Sequence, residues 1–181
     1  DRMLRGEESF TAQEKRGMDV FTAEDKGNCA ACHPVPERGS APSERLFTDF
    51  TYDNLGVPAN VAARRLNGKG ESYQDPGLFG NPKVTDPALK GAFRVTSLRN
   101  VAVTAPYMHN GVFNELATVV EFYNTRDVSG AVNPETGQPW ARPEVPETMN
   151  TEELGDLGLS DDEIQALVAF LHTLTDKRYQ P

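Results

Sequence analysis

Scarcity narrows this chain before any motif does. It holds only two cysteines, Cys29 and Cys32, standing three positions apart. A structural disulfide usually closes a longer loop, so this pair has to be read together with the residue that follows it. Histidine is nearly as rare. His33, His109 and His172 are the full set, and none shows the H-x3-5-H spacing of a zinc site. Positive charge is short too: 18 Lys+Arg against 27 Asp+Glu leave a net charge of −9. That argues against a nucleic-acid partner, whose phosphates want Lys and Arg. An acidic surface either steers a basic protein partner or serves solubility alone. No stretch approaches the roughly 18 uninterrupted apolar residues of a membrane span. No basic-then-apolar leader opens the chain, which begins with Asp1 and Arg2, and the expectation is a mature, processed or excised chain.

What is present fits an ordinary globular profile, with 38% apolar and 25% charged residues. The length predicts one domain over 1–181. Thr11-Ala12-Gln13-Glu14 has capping-box form and predicts a helix over about 12–22, with Met18 and Phe21 inward. Leu116, Val119, Val120 and Tyr123 share one face of a second helix over 115–124. A second capping box, Ser160-Asp161-Asp162-Glu163, opens a last helix striped by Ile164, Leu167, Val168, Leu171 and Leu174. Between residues 34 and 100, Gly and Pro punctuate a loop-rich stretch with room only for short β pairings. Residues 125–150, polar and Pro-rich, read as a surface excursion that includes Trp140, to which nothing assigns a redox role. Long loops are uncommon in a compact domain unless functional. A cofactor at the centre of the core would explain them.

Cys29-Ala30-Ala31-Cys32-His33 supplies that cofactor's signature. Cys-x-x-Cys-His is the attachment sequence of c-type haem: two thiols add across the vinyl groups, and the following His turns a ring nitrogen to the iron. A dithiol redox pair would want a helix after it, and Pro34 cuts that off. The sixth ligand is open on spacing. Of Met3, Met18, Met108 and Met149, spacing selects Met108, with His109 beside it as a rival, although any Met also serves as flexible core filler.

Thr48-Asp49-Phe50, Asn54-Leu55-Gly56-Val57, the run Gly91 to Val101, and Thr104-Ala105-Pro106-Tyr107-Met108-His109-Asn110-Gly111 carry a resemblance. Together they resemble the C-terminal haem domain of the bacterial dihaem cytochrome c peroxidase and MauG family, across nearly the whole chain. That family normally carries two haem domains, an N-terminal one that reacts with peroxide and a low-spin C-terminal one that feeds electrons. One Cys-x-x-Cys-His here implies that the reactive half was cut away, is another subunit, or was lost. The resemblance also implies a ligand. Family members place a Met, or in MauG-like members a Tyr, fourteen positions after the His matching His109, and that position is Tyr123. His33/Tyr123 is therefore preferred over His33/Met108; the competing role for Tyr123 is a buried core aromatic. The family further implies backbone calcium ligands at Thr104 and Pro106, and haem-propionate or haem-edge contacts from Arg99 and His109, for which a surface salt bridge and a core imidazole are the plain alternatives.

The expectation is an all-α fold, class I cytochrome c-like with long loops. It holds one covalent haem c, with Ca2+ as a further ligand implied by the family. Its favoured function is electron transfer with a redox protein partner: a small cytochrome, a cupredoxin or an enzyme subunit. The alternative is a subunit or fragment of a cytochrome c peroxidase or MauG-like oxidoreductase acting on hydrogen peroxide. A haem serving only as a structural or sensory element is a third reading. Haem c attachment implies a periplasmic or other extracytoplasmic location.

Overall fold

The computed structural model describes residues 3–41 and 44–179; the Asp1-Arg2 start lies outside them. The chain divides into two compact units, one of Asp1–Phe50, Val95–Thr104 and Leu157–Pro181, the other of Thr51–Arg94 and Ala105–Asp156. Among the described residues none forms a helix long and apolar enough to cross a membrane.

The first unit is built on two helices, α1 (Ala12–Thr22) and α4 (Asp161–His172). Both capping boxes form. Thr11 Oγ1 accepts from the Glu14 backbone N–H while Glu14 accepts from the Thr11 N–H at 2.7 Å, and Ser160 and Glu163 repeat the exchange. Each box satisfies two N–H groups that a helix start otherwise leaves without partners. Gly17 sets the helix crossing, because a Cβ there would overlap the Ala166 carbonyl. This close approach shifts the buried face of α1 to Gly17, Val20 and Phe21, leaving Met18 only half-buried. On α4 the same contact buries Ala166 and Phe170 beside Ile164, Leu167 and Leu171, and Val168 falls to the edge. Phe170 packs edge-on to Phe10 at 5.9 Å and tilted to Phe21 at 5.2 Å. Rings of this size dominate a core, each worth roughly 1.5–3 kcal/mol on burial.

The second unit holds α2 (Val61–Leu66), α3 (Leu116–Thr125) and two short antiparallel ribbons. In one ribbon β1 (Tyr52–Asp53) pairs with β2 (Phe93–Arg94), with Tyr52 opposite Arg94. In the other β3 (Val132–Asn133) pairs with β4 (Gln138–Pro139). The all-α expectation is corrected by these two ribbons; short pairings in a Gly/Pro-rich chain leave no alternation long enough to read. The face of α3 also differs from expectation. Leu116, Thr118, Val120, Phe122 and Asn124 are buried, whereas Val119 and Tyr123 are half-buried. Packing of α3 from two sides overrides a single-stripe pattern. Residues 125–150 are not a bare surface excursion, because Arg126, Glu144 and Val145 are buried in this unit. Trp140 donates its indole N–H to Thr125 Oγ1 at 3.1 Å and packs edge-on to Phe113 and Phe122. The buried charges are paired: Arg64 binds Glu144, and Arg126 binds Asp127 and the carbonyls of Leu55 and Asn150.

Candidate functional site

Asn28 adopts the left-handed conformation at φ 47 and swings the chain out of α1 into a single tight turn, Cys29–Ala31. Asn tolerates that conformation better than most residues because its short polar side chain can bond locally. The turn closes with the His33 N–H on the Cys29 carbonyl at 2.9 Å. Cys29, Cys32 and His33 thus come from one local fold. No disulfide joins Cys29 to Cys32. Cys29 donates to the Gly27 carbonyl at 3.3 Å, and burial pushes its thiol up to about 12. A reactive dithiol pair depends on a lowered thiol pKa, so this environment speaks against that alternative.

His33 is set by a more distant partner. Its Nδ1 lies 2.7 Å from the Phe47 carbonyl oxygen, fourteen residues away. A carbonyl only accepts, so Nδ1 carries the proton and Nε2 carries the lone pair. Burial also lowers the His33 pKa, against smaller upward pulls from the Phe47 carbonyl and Asp49, and so favours the neutral ring. A neutral imidazole whose second nitrogen is held by a carbonyl is the arrangement metal-ligating histidines adopt. Two thiols and this imidazole fit a c-type haem, with Cys29 and Cys32 as attachment points and His33 Nε2 as the iron ligand. Arg99 lies in the same unit. Its Nε donates to the Arg45 carbonyl at 2.6 Å and its guanidinium sits 5.1 Å from the Phe47 ring centre. Burial lowers its pKa and the nearby Arg45 charge adds to that lowering.

The other candidates fall elsewhere. Thr104 is exposed at the end of a first-unit segment, while Pro106, Met108, His109 and Tyr123 belong to the second unit. Met108 takes φ 67 in a loop pinned by side-chain amides: Asn110 donates to the Pro58 carbonyl at 2.8 Å, and Asn60 to the Asn110 carbonyl at 3.0 Å. His109 stacks on Phe93 with ring centres 3.5 Å apart and planes at 8°. The residue is exposed overall, yet its stacked ring is desolvated. That desolvation takes its pKa down to about 4, with Arg64 helping and Asp75 opposing. Tyr123 is half-buried on α3 beside Phe122. Among the described residues no cluster of three or more His, Cys, Asp or Glu stands ready for a metal ion; backbone-carbonyl sites of the kind expected at Thr104 and Pro106 are of a different chemistry. Sequence reading missed Phe47 as the partner of His33; Thr48 and Ser97 lay in motifs it had singled out, but their bonds to the Val95 and Leu46 carbonyls show only in the fold.

The tight Cys-x-x-Cys-His turn and the crossed α1 and α4 make the build of a c-type cytochrome, and known proteins say of which kind. No family model matches the chain. It is 49% identical over 185 residues to the methylamine utilization protein MauG of Paracoccus denitrificans, covering 100% of this chain and 47% of that protein. It is 34% identical over 192 residues to the cytochrome-c peroxidase IdrP2 of Denitromonas iodatirespirans, covering 97% and 43%. In structure it matches the diheme peroxidase BthA of Burkholderia thailandensis with a TM-score of 0.81 and 34% identity, over 98% of this chain and 46% of that one. The chain belongs to the MauG and cytochrome c peroxidase family of c-type haem proteins. It spans about half the length of the relatives it matches.

Proposed function

We propose that residues 1–181 are a single c-type cytochrome domain working as part of a cytochrome c peroxidase or MauG-like oxidoreductase that acts on hydrogen peroxide. The observation that carries this reading is the match along the whole chain, at 49% identity, to under half of a MauG protein. It favours the enzyme-part reading over that of a free-standing electron carrier. A haem bound through Cys29, Cys32 and His33 supplies an iron that exchanges one electron at a time. Cys29, Cys32 and His33 would hold that haem, and the fold would supply a further side chain to its iron. Tyr123 is the proposed sixth ligand, supported by its position fourteen residues after His109 and by its half-buried place on α3. Met108 is the alternative. Arg99 and His109 are proposed contacts of the haem propionates or edge, and Thr104 and Pro106 are proposed carbonyl ligands of a calcium ion. The partner is a redox protein, such as a small cytochrome, a cupredoxin or an enzyme subunit. The location is periplasmic or otherwise extracytoplasmic, where haem c is attached.

Two measurements test this. Intact mass under denaturing conditions should equal the polypeptide plus one haem; the bare polypeptide mass would end the haem reading. The purified 181-residue protein should turn over hydrogen peroxide poorly with a small electron donor, and together with a second haem domain it should do so well. Rapid turnover by the 181 residues alone would refute the division of labour.

A further inference from the structure

We infer that Thr48 and Ser97 are positioning residues for the proximal iron ligand, setting the haem's reduction potential through a clasp on the backbone either side of the Phe47 carbonyl. The inference rests on the proposed attachment of haem at Cys29, Cys32 and His33.

The segment 45–48 is held at every residue. The Arg45 carbonyl accepts from Arg99 Nε at 2.6 Å, and the Leu46 carbonyl accepts from Ser97 Oγ at 2.6 Å. The Phe47 carbonyl faces His33 Nδ1 at 2.7 Å. Thr48 Oγ1 donates to the Val95 carbonyl at 2.7 Å and accepts from the Phe50 N–H at 3.0 Å. Three of these ties come from the single stretch 95–99, and all lie within the first unit. Phe47 itself takes φ 53. A left-handed conformation is unfavourable for a non-glycine residue and persists only where surroundings over-determine it. The surroundings do so here. The Phe47 ring is buried at 5% exposure, meets Phe21 edge-on at 6.5 Å, and lies under the Arg99 guanidinium. Returning Phe47 to an ordinary φ would rotate its peptide plane and swing the carbonyl away from His33.

The consequence is electronic. A carbonyl drawing on the Nδ1 proton raises the basicity of the imidazole. A more basic imidazole donates more strongly to iron and stabilises the ferric form. Hydroxyls that never touch the cofactor thereby hold its potential down.

The test uses the haem-loaded protein. Thr48→Val and Ser97→Ala each remove a hydroxyl of the clasp; Thr48→Ser and Ser97→Thr restore it. Ile164→Val on α4 is a control that loosens the same unit away from the clasp. Both hydroxyl-free variants should show an upward shift in potential and faster deuterium exchange of the His33 Nδ1 proton, read by NMR in the reduced form. The restoring variants should return both readouts toward wild type, and Ile164→Val should lower the melting temperature while leaving both unmoved. Unchanged potential and exchange in Thr48→Val and Ser97→Ala, with haem covalently attached, would overturn the clasp alone. An equal shift in Ile164→Val would reduce the clasp to general stability and overturn it as well. Absence of haem from the wild-type mass would instead overturn the haem reading beneath it.

Discussion

Replacing Gly17 by Ala sets two physical effects of opposite sign against each other. Gly17 sits in the middle of α1, where Ala is favoured over Gly by about 1 kcal/mol through helix propensity and unfolded-chain entropy. From sequence alone, Gly17→Ala should stabilise the protein. The packing reverses this. The added Cβ would overlap the Ala166 carbonyl and lie 2.8 Å from the Phe170 Cβ. The obstacle is backbone rather than the end of a flexible side chain, so no rotamer change relieves it and α1 must move off α4. Overpacking of this kind typically costs about 1–3 kcal/mol, and a backbone obstacle belongs at the upper end. After subtracting the propensity gain, the net loss is about 2 kcal/mol. For a chain of this size that corresponds to a fall in Tm of roughly 4–8 °C. Thermal unfolding of the haem-loaded wild type and variant, followed by far-ultraviolet circular dichroism, measures it. A Tm equal to or above wild type would refute the close crossing of α1 and α4.

Three further outcomes follow from the same physics. Cys29→Ser with Cys32→Ser should give an unfolded or aggregating protein, because ordering backbone costs roughly 1–2 kcal/mol per residue and the loops between 34 and 100 have few apolar side chains to offset it; a cooperative transition near the wild-type midpoint would contradict this. Tyr123→Phe should convert the haem to high spin while Met108→Leu leaves it low spin, and a methionine–iron charge-transfer band lost in Met108→Leu would reverse the assignment. Glu135 accepts from the N–H groups of Asn114 and Glu115 at 2.9 Å and so caps the start of α3 from outside the helix. Burial alone would raise its pKa, but those bonds outweigh it and hold the carboxyl below the usual value. Its stabilising effect is therefore present above the unfolded-state pKa and fades as pH falls through the lower folded value. Glu135→Gln should cost about 1 kcal/mol at pH 7 and flatten the acid limb of the stability profile; an unaltered acid limb in denaturant titrations would count against the cap.

Whatever depends on residues three or four apart was legible in the sequence by itself. The capping boxes at Thr11 and Ser160 and the Cys29-to-His33 turn lie within one helical turn, so their hydrogen bonds are settled by local spacing. The family resemblance was legible for a related reason, since its motifs are short and contiguous. Tertiary structure alone decided the rest. The partner of His33 lies 14 residues away on a left-handed Phe47, and the partner of Arg64 is Glu144, 80 residues away. The inward face of α1 turned on Gly17, whose value is the side chain it lacks and becomes apparent only when Ala166 is seen beside it. Val119 and Tyr123 share a periodic stripe with Leu116 and Val120, yet burial divides them, because α3 is packed from two sides. Periodicity records that a helix has an apolar face. Which residues on that face are enclosed, and which carbonyl turns toward a ligand, depends on chain segments that meet only after folding.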